Sequence, residues 1–381
     1  MSKEERRVPE LRFKGFHDDW EQRMFQELVN RVSHSSENEH LPRVEYEDII
    51  SGRGELNKNL SLKESEKKGT EFLPNDILFG KLRPYLNKWL YPNFHGIAVG
   101  DFWVLRSREI ESKFIYYMIQ TNKFKLISNI SSGSKMPRSD WNIVSNSKFT
   151  VPLNLLEGQK ISATLSSIDN LITLHQRKIN ILETLKKVYL NVMFPNRSED
   201  IPRLHFKFFN EAWEQRKVED IAIVNTGKKD TQDAVTDGAY DFYVRSPKIE
   251  KINSYSYNGE AVLTVGDGVG VGKVFHYVNG KFDYHQRVYK ISDFKNYNGL
   301  FFYYYFSNNF KYEARKYNAK TSVDSVRREM ITKMNFPDTS LNEQVQVGQF
   351  FKEIDNIITL HHRKLHRLNR IKQVYLNKMF I

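Results

Sequence analysis

Cysteine is absent from the 381-residue chain. A disulfide framework, thiolate zinc sites, iron–sulfur ligation and a cysteine nucleophile are therefore excluded. No apolar run approaches the ~18–20 residues of a membrane span, and the mean hydropathy is −0.59. The opening stretch MSKEERRVPEL has no apolar core, so no secretory signal is expected. No Pro-Pro pair occurs either. This removes the aromatic-bearing Pro-Pro tetrapeptide that an adenine methyltransferase sets beside a flipped base. Acidic residues are outnumbered: 46 Asp and Glu face 58 Lys and Arg, a net charge of +12. That balance points to a polyanionic partner, nucleic acid before a membrane surface. Aromatics are plentiful at 13%, within 40% hydrophobic residues. Such content builds cores and excludes global disorder. At roughly 100–200 residues per domain, the length predicts two or three domains.

The chain repeats itself. Residues 9–23 read PELRFKGFHDDWEQR and residues 202–216 read PRLHFKFFNEAWEQR, nine of fifteen identical at an offset of 193. Residues 168–194 (IDNLITLHQRKINILETLKKVYLNVMF) match 354–380 (IDNIITLHHRKLHRLNRIKQVYLNKMF) at seventeen of twenty-seven positions, at an offset of 186. Two copies of one unit follow, each with a short opening, a variable body and a closing segment. The closing segment reads as a long amphipathic helix. Ile168, Leu171, His175, Leu182, Leu185, Tyr189 and Val192 take a/d-like positions, widened by Ile172, Ile179 and Met193. Ile354, Ile357, His361, Leu368, Ile371 and Tyr375 repeat the pattern. The 27 residues predict a rod of roughly 40 Å. Gly158, standing where the second copy has Gln344, is expected to loosen the first helix start. The two stripes can face one another as an intramolecular coiled-coil-like pair, or each can lie on its own domain. Pairing is favoured, because a lone rod is marginal in water.

The bodies read as α+β. Residues 72–105 and 259–292 alternate short β-rich runs with turns. Their layouts correspond, with Asp76 set against Glu260 and Lys88 against Lys273. Helix-like stretches follow at Phe114–Ile127 and Phe301–Lys316. A constant framework around different bodies suits one scaffold reading two different things.

Tests for catalytic chemistry are negative. Gly266–Lys273 superficially resembles a phosphate loop. Asp267 stands where the first glycine belongs, however, Val274 replaces the hydroxyl, and a strand-like run follows. A glycine-rich hairpin whose backbone makes a close approach fits better, with a DNA backbone as one candidate. Asp48, Glu66 and Lys68 superficially fit a magnesium nuclease, but Glu66 lies in a polar stretch. His362 and His366 sit at i, i+4 without a third ligand, and His175 and His361 lie on the apolar stripes as packing residues. Basic residues remain. Residues 51–150 carry 16 Lys and Arg against 9 Asp and Glu. Candidate DNA contacts are Lys81, Arg83, Lys135 and Arg138 in the first body. In the second they are Arg245, Lys273, Arg287, Lys320, Arg327 and Arg328. Residues 351–381 add seven Lys and Arg against two acids, a surplus that can follow DNA or an acidic partner.

The duplicated opening and closing segments resemble the specificity (S) subunits of type I DNA restriction–modification systems, over nearly the whole chain. Within the bodies, ILFGKLRPYLNK and GSKMPRSDW, then YVRSPKIEK, AVLTVGDGVGVGKVFHYVNGKFDYHQRVY and SVDSVRREMI, carry a similar likeness. The resemblance implies two α/β target-recognition domains, separated by two long antiparallel helices with an internal pseudo-twofold repeat. Each domain would read half of a bipartite DNA site, and the helices would set the spacer. The expected layout is 1–150 for the opening and first recognition domain, 151–198 for the central helical spacer, 199–336 for the second recognition domain and 337–381 for the last spacer. The S subunit implied is non-catalytic and cytoplasmic, and serves defence against foreign DNA. Two modification subunits would methylate adenine N6 with S-adenosylmethionine, and restriction subunits would use ATP and Mg²⁺. No cofactor is expected in this chain. The alternatives are a stand-alone Mg-dependent nuclease and a non-catalytic decoy DNA-binding protein.

Overall fold

The computed structural model describes residues 7–60, 67–130, 136–195, 199–317 and 325–381. Glu66, Lys135 and Lys320 lie outside the described residues. The chain forms two compact units, Met1–His175 with Lys364–Ile381, and Gln176–Arg363. Among the described residues no helix is long and apolar enough to cross a membrane.

The first unit opens with β1 (Glu21–Met24), α1 (Phe25–Leu28), β2 (Val29–Val32), β3 (Ser35–Ser36) and β4 (Arg43–Glu45). A small hairpin, β5 (Ile49–Ile50) and β6 (Glu55–Leu56), follows. Next come β7 (Gly69–Phe72), β8 (Ile77–Gly80), β9 (Trp89–Leu90), β10 (Gly96–Val99) and β11 (Phe102–Ser107). Helices α2 (Ser112–Met118), α3 (Asn122–Ser128) and α4 (Trp141–Asn146) precede β12 (Lys148–Val151) and the long α5 (Leu155–Val192). The sheets are ordered β2-β11-β8-β9 and β3-β7-β10-β4, and β1 pairs with β12. The expected helix Phe114–Ile127 is broken in two. Thr121 ends one turn and caps the next, its hydroxyl accepting from Phe124 N at 3.4 Å. Phe25, Phe79, Phe124 and Phe149 pack tilted or edge-to-face, with ring centroids 5.3–5.8 Å apart, in the core beneath.

The second unit contains β13 (Glu214–Lys217), α6 (Val218–Ile221), β14 (Ile223–Thr226), β15 (Tyr240–Tyr243), β16 (Ile249–Ile252), β17 (Tyr257–Val265), β18 (Phe275–Tyr284) and β19 (Val288–Ser292). It continues through α7 (Gly299–Arg315), α8 (Arg328–Thr332), β20 (Asn335–Asp338) and α9 (Leu341–Lys378). Here one six-stranded sheet is ordered β14-β19-β17-β18-β15-β16. Its first four strands repeat the β2-β11-β8-β9 order of the first unit, and β13–β20 repeats β1–β12. Gly80 pairs with Phe102 as Val265 pairs with Val288. This register makes Asp76 equivalent to Ala261 and Lys88 equivalent to Val274. The layout expected from sequence was therefore one residue out, because only the hydrogen-bond ladder reveals the alignment of such divergent strands.

The long helices start at equivalent positions, upstream of the recognised repeat, and at 38 residues each reach about 57 Å. Gly158 lies inside the first turn rather than stopping it. Ile161 and Leu165 are buried in the body core, and that packing outweighs the weak propensity. The apolar stripe runs Ile168, Ile172, His175, Ile179, Leu182, Lys186, Tyr189 and Met193. Leu171 and Leu185, at a/d-like positions of the sequence pattern, are 45% and 41% exposed, and Ile357 is 43% exposed. Beside Leu185 the inward position is held by Lys186 instead, which an apolar-only pattern passes over, and beside Leu171 and Ile357 by Ile172 and Ile358. His175 and His361 are half-buried on their stripes.

Within each unit, segments of α5 and α9 lie antiparallel, joined by the same three residue types. In the first, Lys372 Nζ meets Asp169 Oδ1 at 2.7 Å, and Tyr117 Oη donates to Asp169 Oδ2 at 2.9 Å. In the second, Lys186 meets Asp355 at 2.6 Å and Tyr304 donates to Asp355 at 2.8 Å. The openings dock alike. Trp20 Nε1 donates to Glu157 and Trp213 Nε1 to Glu343, both at 3.0 Å. Leu11 N donates to Lys378 O at 2.8 Å, and Leu204 N to Val192 O at 2.9 Å. Each opening thus closes on the end of the other copy's long helix.

Candidate nucleic-acid interface

At one end of the β8–β11 pair, three loops are stitched together by backbone. Lys81 N donates to Asp101 O at 2.9 Å, Ser139 N to Lys81 O at 2.9 Å and Arg83 N to Pro137 O at 2.7 Å. Leu82 and Arg138 form an isolated bridge. The second unit repeats this frame at the end of β17–β19. Gly266 N donates to Arg287 O and Val326 N to Gly266 O, both at 2.7 Å, and Asp267 bridges Ser325. Lys81 is therefore equivalent to Gly266, Leu82 to Asp267, Asp101 to Arg287 and Arg138 to Ser325.

Most candidate cations converge on these frames. In the first, Arg138 Nη2 meets Asp101 Oδ2 at 3.0 Å and Lys81 Nζ meets Asp101 Oδ1 at 3.6 Å. The hydrogen bond to Asp101 pushes the Arg138 guanidinium above its ordinary value. Arg83 is exposed beside them in the left-handed region, with φ +47. Tyr46 supports the loop from below, its hydroxyl donating to Leu82 O, and burial pushes its pKa up to about 12. Tyr85 and Met136 are exposed at the rim. In the second frame, Arg245 Nη1 lies 3.5 Å and Arg287 Nε 3.7 Å from Asp267. Arg287 N donates to His285 Nδ1 at 2.9 Å, and burial lowers that imidazole. Lys273 is exposed in the β17–β18 connection, and Arg327 and Arg328 are exposed at the start of α8.

The glycine-rich string is this connection, a short 3-10 turn at Gly268–Gly270 leading into a strand. Its close approaches are to protein. A Cβ on Gly266 would lie 2.9 Å from Arg287 O, and one on Gly270 2.9 Å from Arg245 O. Gly266 and Gly270 thereby seat the two arginines, while Gly268, at φ +76, has no atom within 4 Å of where a Cβ would stand. Asp101, Asp267 and His285 were missed, because a lone acid in a basic stretch carries no motif. The nuclease set does not assemble among the described residues. Asp48 is buried, accepts from Glu45 N at 2.8 Å and pairs with Lys58 at 2.7 Å, while Lys68 pairs with Glu37 at 3.0 Å. His362 sits 3.9 Å from Glu183, and no group of three metal-ligating residues occurs among the described residues.

Compared with known proteins, residues 17–184 and 210–370 each match the type I restriction modification DNA specificity domain. The chain belongs to this type I specificity family. The two matches divide it as the two repeats do. The type I restriction enzyme MjaVIII specificity subunit of Methanocaldococcus jannaschii is 22% identical over 304 residues, covering 71% of this chain and 70% of that one. The fold is similar to the S subunit of a type I restriction–modification system from M. genitalium, with TM-score 0.69, 13% identity and 98% and 99% of the two chains covered. It is also similar to a chain from a structure concerned with complex assembly and conformational transition of the type I system, with TM-score 0.53, 16% identity and coverage of 94% and 97%. As a specificity subunit, the chain supplies DNA sequence recognition and is not itself an enzyme.

Proposed function

We propose that each body reads one half of a bipartite DNA site. Residues 1–150 and 199–336 are the readers, and the helical segments 151–198 and 337–381 set the spacer between half-sites. The observation that carries this reading is the pair of equivalent loop frames. One backbone arrangement occurs twice, at the same end of the same sheet, bearing different exposed cations. Basic residues there supply salt-dependent affinity, and contacts to base edges supply specificity. Lys81, Arg83, Arg138, Arg245, Lys273, Arg287, Arg327 and Arg328 contact DNA. Lys135 and Lys320, close in sequence to Arg138 and Arg327, belong to the same set.

Two modification subunits dock on the framework, and restriction subunits join them. A repeated exposed apolar set on the long helices supports this stoichiometry. Leu171 and Ile357, Leu174 and Leu360, and Val188 and Val374 are exposed at equivalent positions. A surface presented twice suits two copies of one partner. S-adenosylmethionine, ATP and Mg²⁺ belong to those partners, and the assembly works in the cytoplasm.

The test is a methylome. The chain is co-expressed with its modification subunit in a methylation-free bacterium, and N6-methyladenine is mapped by long-read sequencing. A bipartite motif with one spacer, methylated only when this chain is present, is the expected result. A stable co-purified complex that methylates nothing overturns the reading.

A further inference from the structure

The two loop frames share a backbone but invert its charge. At the turn preceding the second strand of the pair, the first body carries Asp101 and the second carries Arg287. In the loop leaving the first strand, the first body carries Lys81 and Leu82, and the second Gly266 and Asp267. Yet both frames end with the same chemistry, one carboxylate held between two cations. Asp101 lies between Lys81 and Arg138, and Asp267 between Arg245 and Arg287. The carboxylates are 27% and 29% exposed, open enough to meet a ligand.

Stability does not account for the arrangement, because exposed pairs of this kind contribute little. Affinity for phosphate does not account for it either, since each carboxylate repels the DNA backbone its neighbours attract. Specificity does. A carboxylate accepts a hydrogen bond from the exocyclic amino group of a base in the major groove, with cytosine N4 its usual partner. It also holds neighbouring arginines off the phosphates and rejects a base that offers no donor.

We propose that Asp101 and Asp267 are specificity-determining residues, each an amino-group acceptor for one half-site that also aims its two cations at base edges. This rests on the half-site reading above. It predicts that the two half-sites place the required amino group at non-equivalent positions, because the acid has moved from turn to loop between the bodies.

The experiment uses Asp101→Asn and Asp267→Asn in the full chain, co-purified with the modification subunit. Methylomes and binding to specific and unrelated duplexes are compared with the unsubstituted complex. Asp101→Asn is expected to relax base preference in one half of the motif only, leaving the other half and the spacer unchanged. Asp267→Asn is expected to relax the opposite half. Binding to unrelated duplex should strengthen by about threefold for each carboxylate neutralised. Arg138→Gln and Arg287→Gln, which remove a cation instead, must relax the same half as the acid of their own body. These two also supply the answer if an aspartate variant fails to fold, which would show as loss of both halves together. Unchanged motifs in all folded variants, or one substitution relaxing both halves, overturns the proposal. An unsubstituted complex that methylates no motif overturns the half-site reading instead.

Discussion

The two bodies reach one strand order by different local means. In the first, the long strands are interrupted, with Pro74 and Asn75 (φ +71) between β7 and β8, and Pro92 between β9 and β10. Proline cannot donate to a ladder, so the sheet separates into two. In the second, β17 and β18 run unbroken, but their paired Gly259 and Gly280 adopt φ +151 and +139. Glycine bends the sheet without severing its hydrogen bonds. A break and a crease solve the same problem, bringing the strand ends to equivalent loop frames. The topology is thus specified by pairing order, while each body keeps freedom in sequence, strand length and the charges it displays.

Exchanging residues 24–150 for another body should have the largest effect. It should replace one half of the methylated motif completely and leave the other intact. If both halves change, the bodies are not independent readers. Next come the cores. Phe301, ringed by Phe194, Trp213 and Phe336, and Phe114, between Trp20 and Phe380, are both fully buried. Phe301→Ala and Phe114→Ala should each cost about 3–5 kcal/mol in urea unfolding. A cost near zero in one body would show that its core is not built like the other's.

Smaller effects separate crease from break. Gly280 has open space around it, so only the backbone resists a side chain. Gly280→Ala should cost about 1–3 kcal/mol, whereas Pro74→Ala should cost under about 1 kcal/mol. Equal losses would remove the distinction.

The smallest difference is in acid response. Burial lowers His276 and His285 below the ordinary imidazole value of 6.5, with Asp230 partly opposing the shift at His285. The unfolded chain then takes up protons first, so this stability is complete above pH 6.5 and is lost as pH falls through the lowered values. In the first body the Glu71 carboxyl is held down by its hydrogen bond to His95, and its contribution persists until pH falls below its ordinary 4.5. Between about pH 7.5 and 5.5, β18 should therefore lose amide-exchange protection before β7 and β10, once intrinsic rates are corrected. Simultaneous loss would refute the assignment.

Much of this was legible in one dimension. Duplication at offsets of 193 and 186 revealed two units, two long helices and the family, because identity survives where the framework repeats the same contacts. Trp20 and Trp213, Asp169 and Asp355, and Lys186 and Lys372 all lie in or beside those repeats. The inward face of the first long helix departs from the sequence pattern at Leu185, since Lys186, half-buried because a carboxylate and a tyrosine from elsewhere meet it, looks like a surface residue in sequence.

The candidate site divides the same way. Composition and order along the chain were enough to nominate the basic residues, because charge and repetition are properties of a string. Their grouping was not, because Asp101 joins Lys81 and Arg138 from segments 20 and 37 residues away, and Asp267 joins arginines on both sides of it. Hydrogen bonds between strands set which loops meet, and strands of low identity do not announce their register. The inversion of charge between two equivalent frames therefore exists only once the chain is folded.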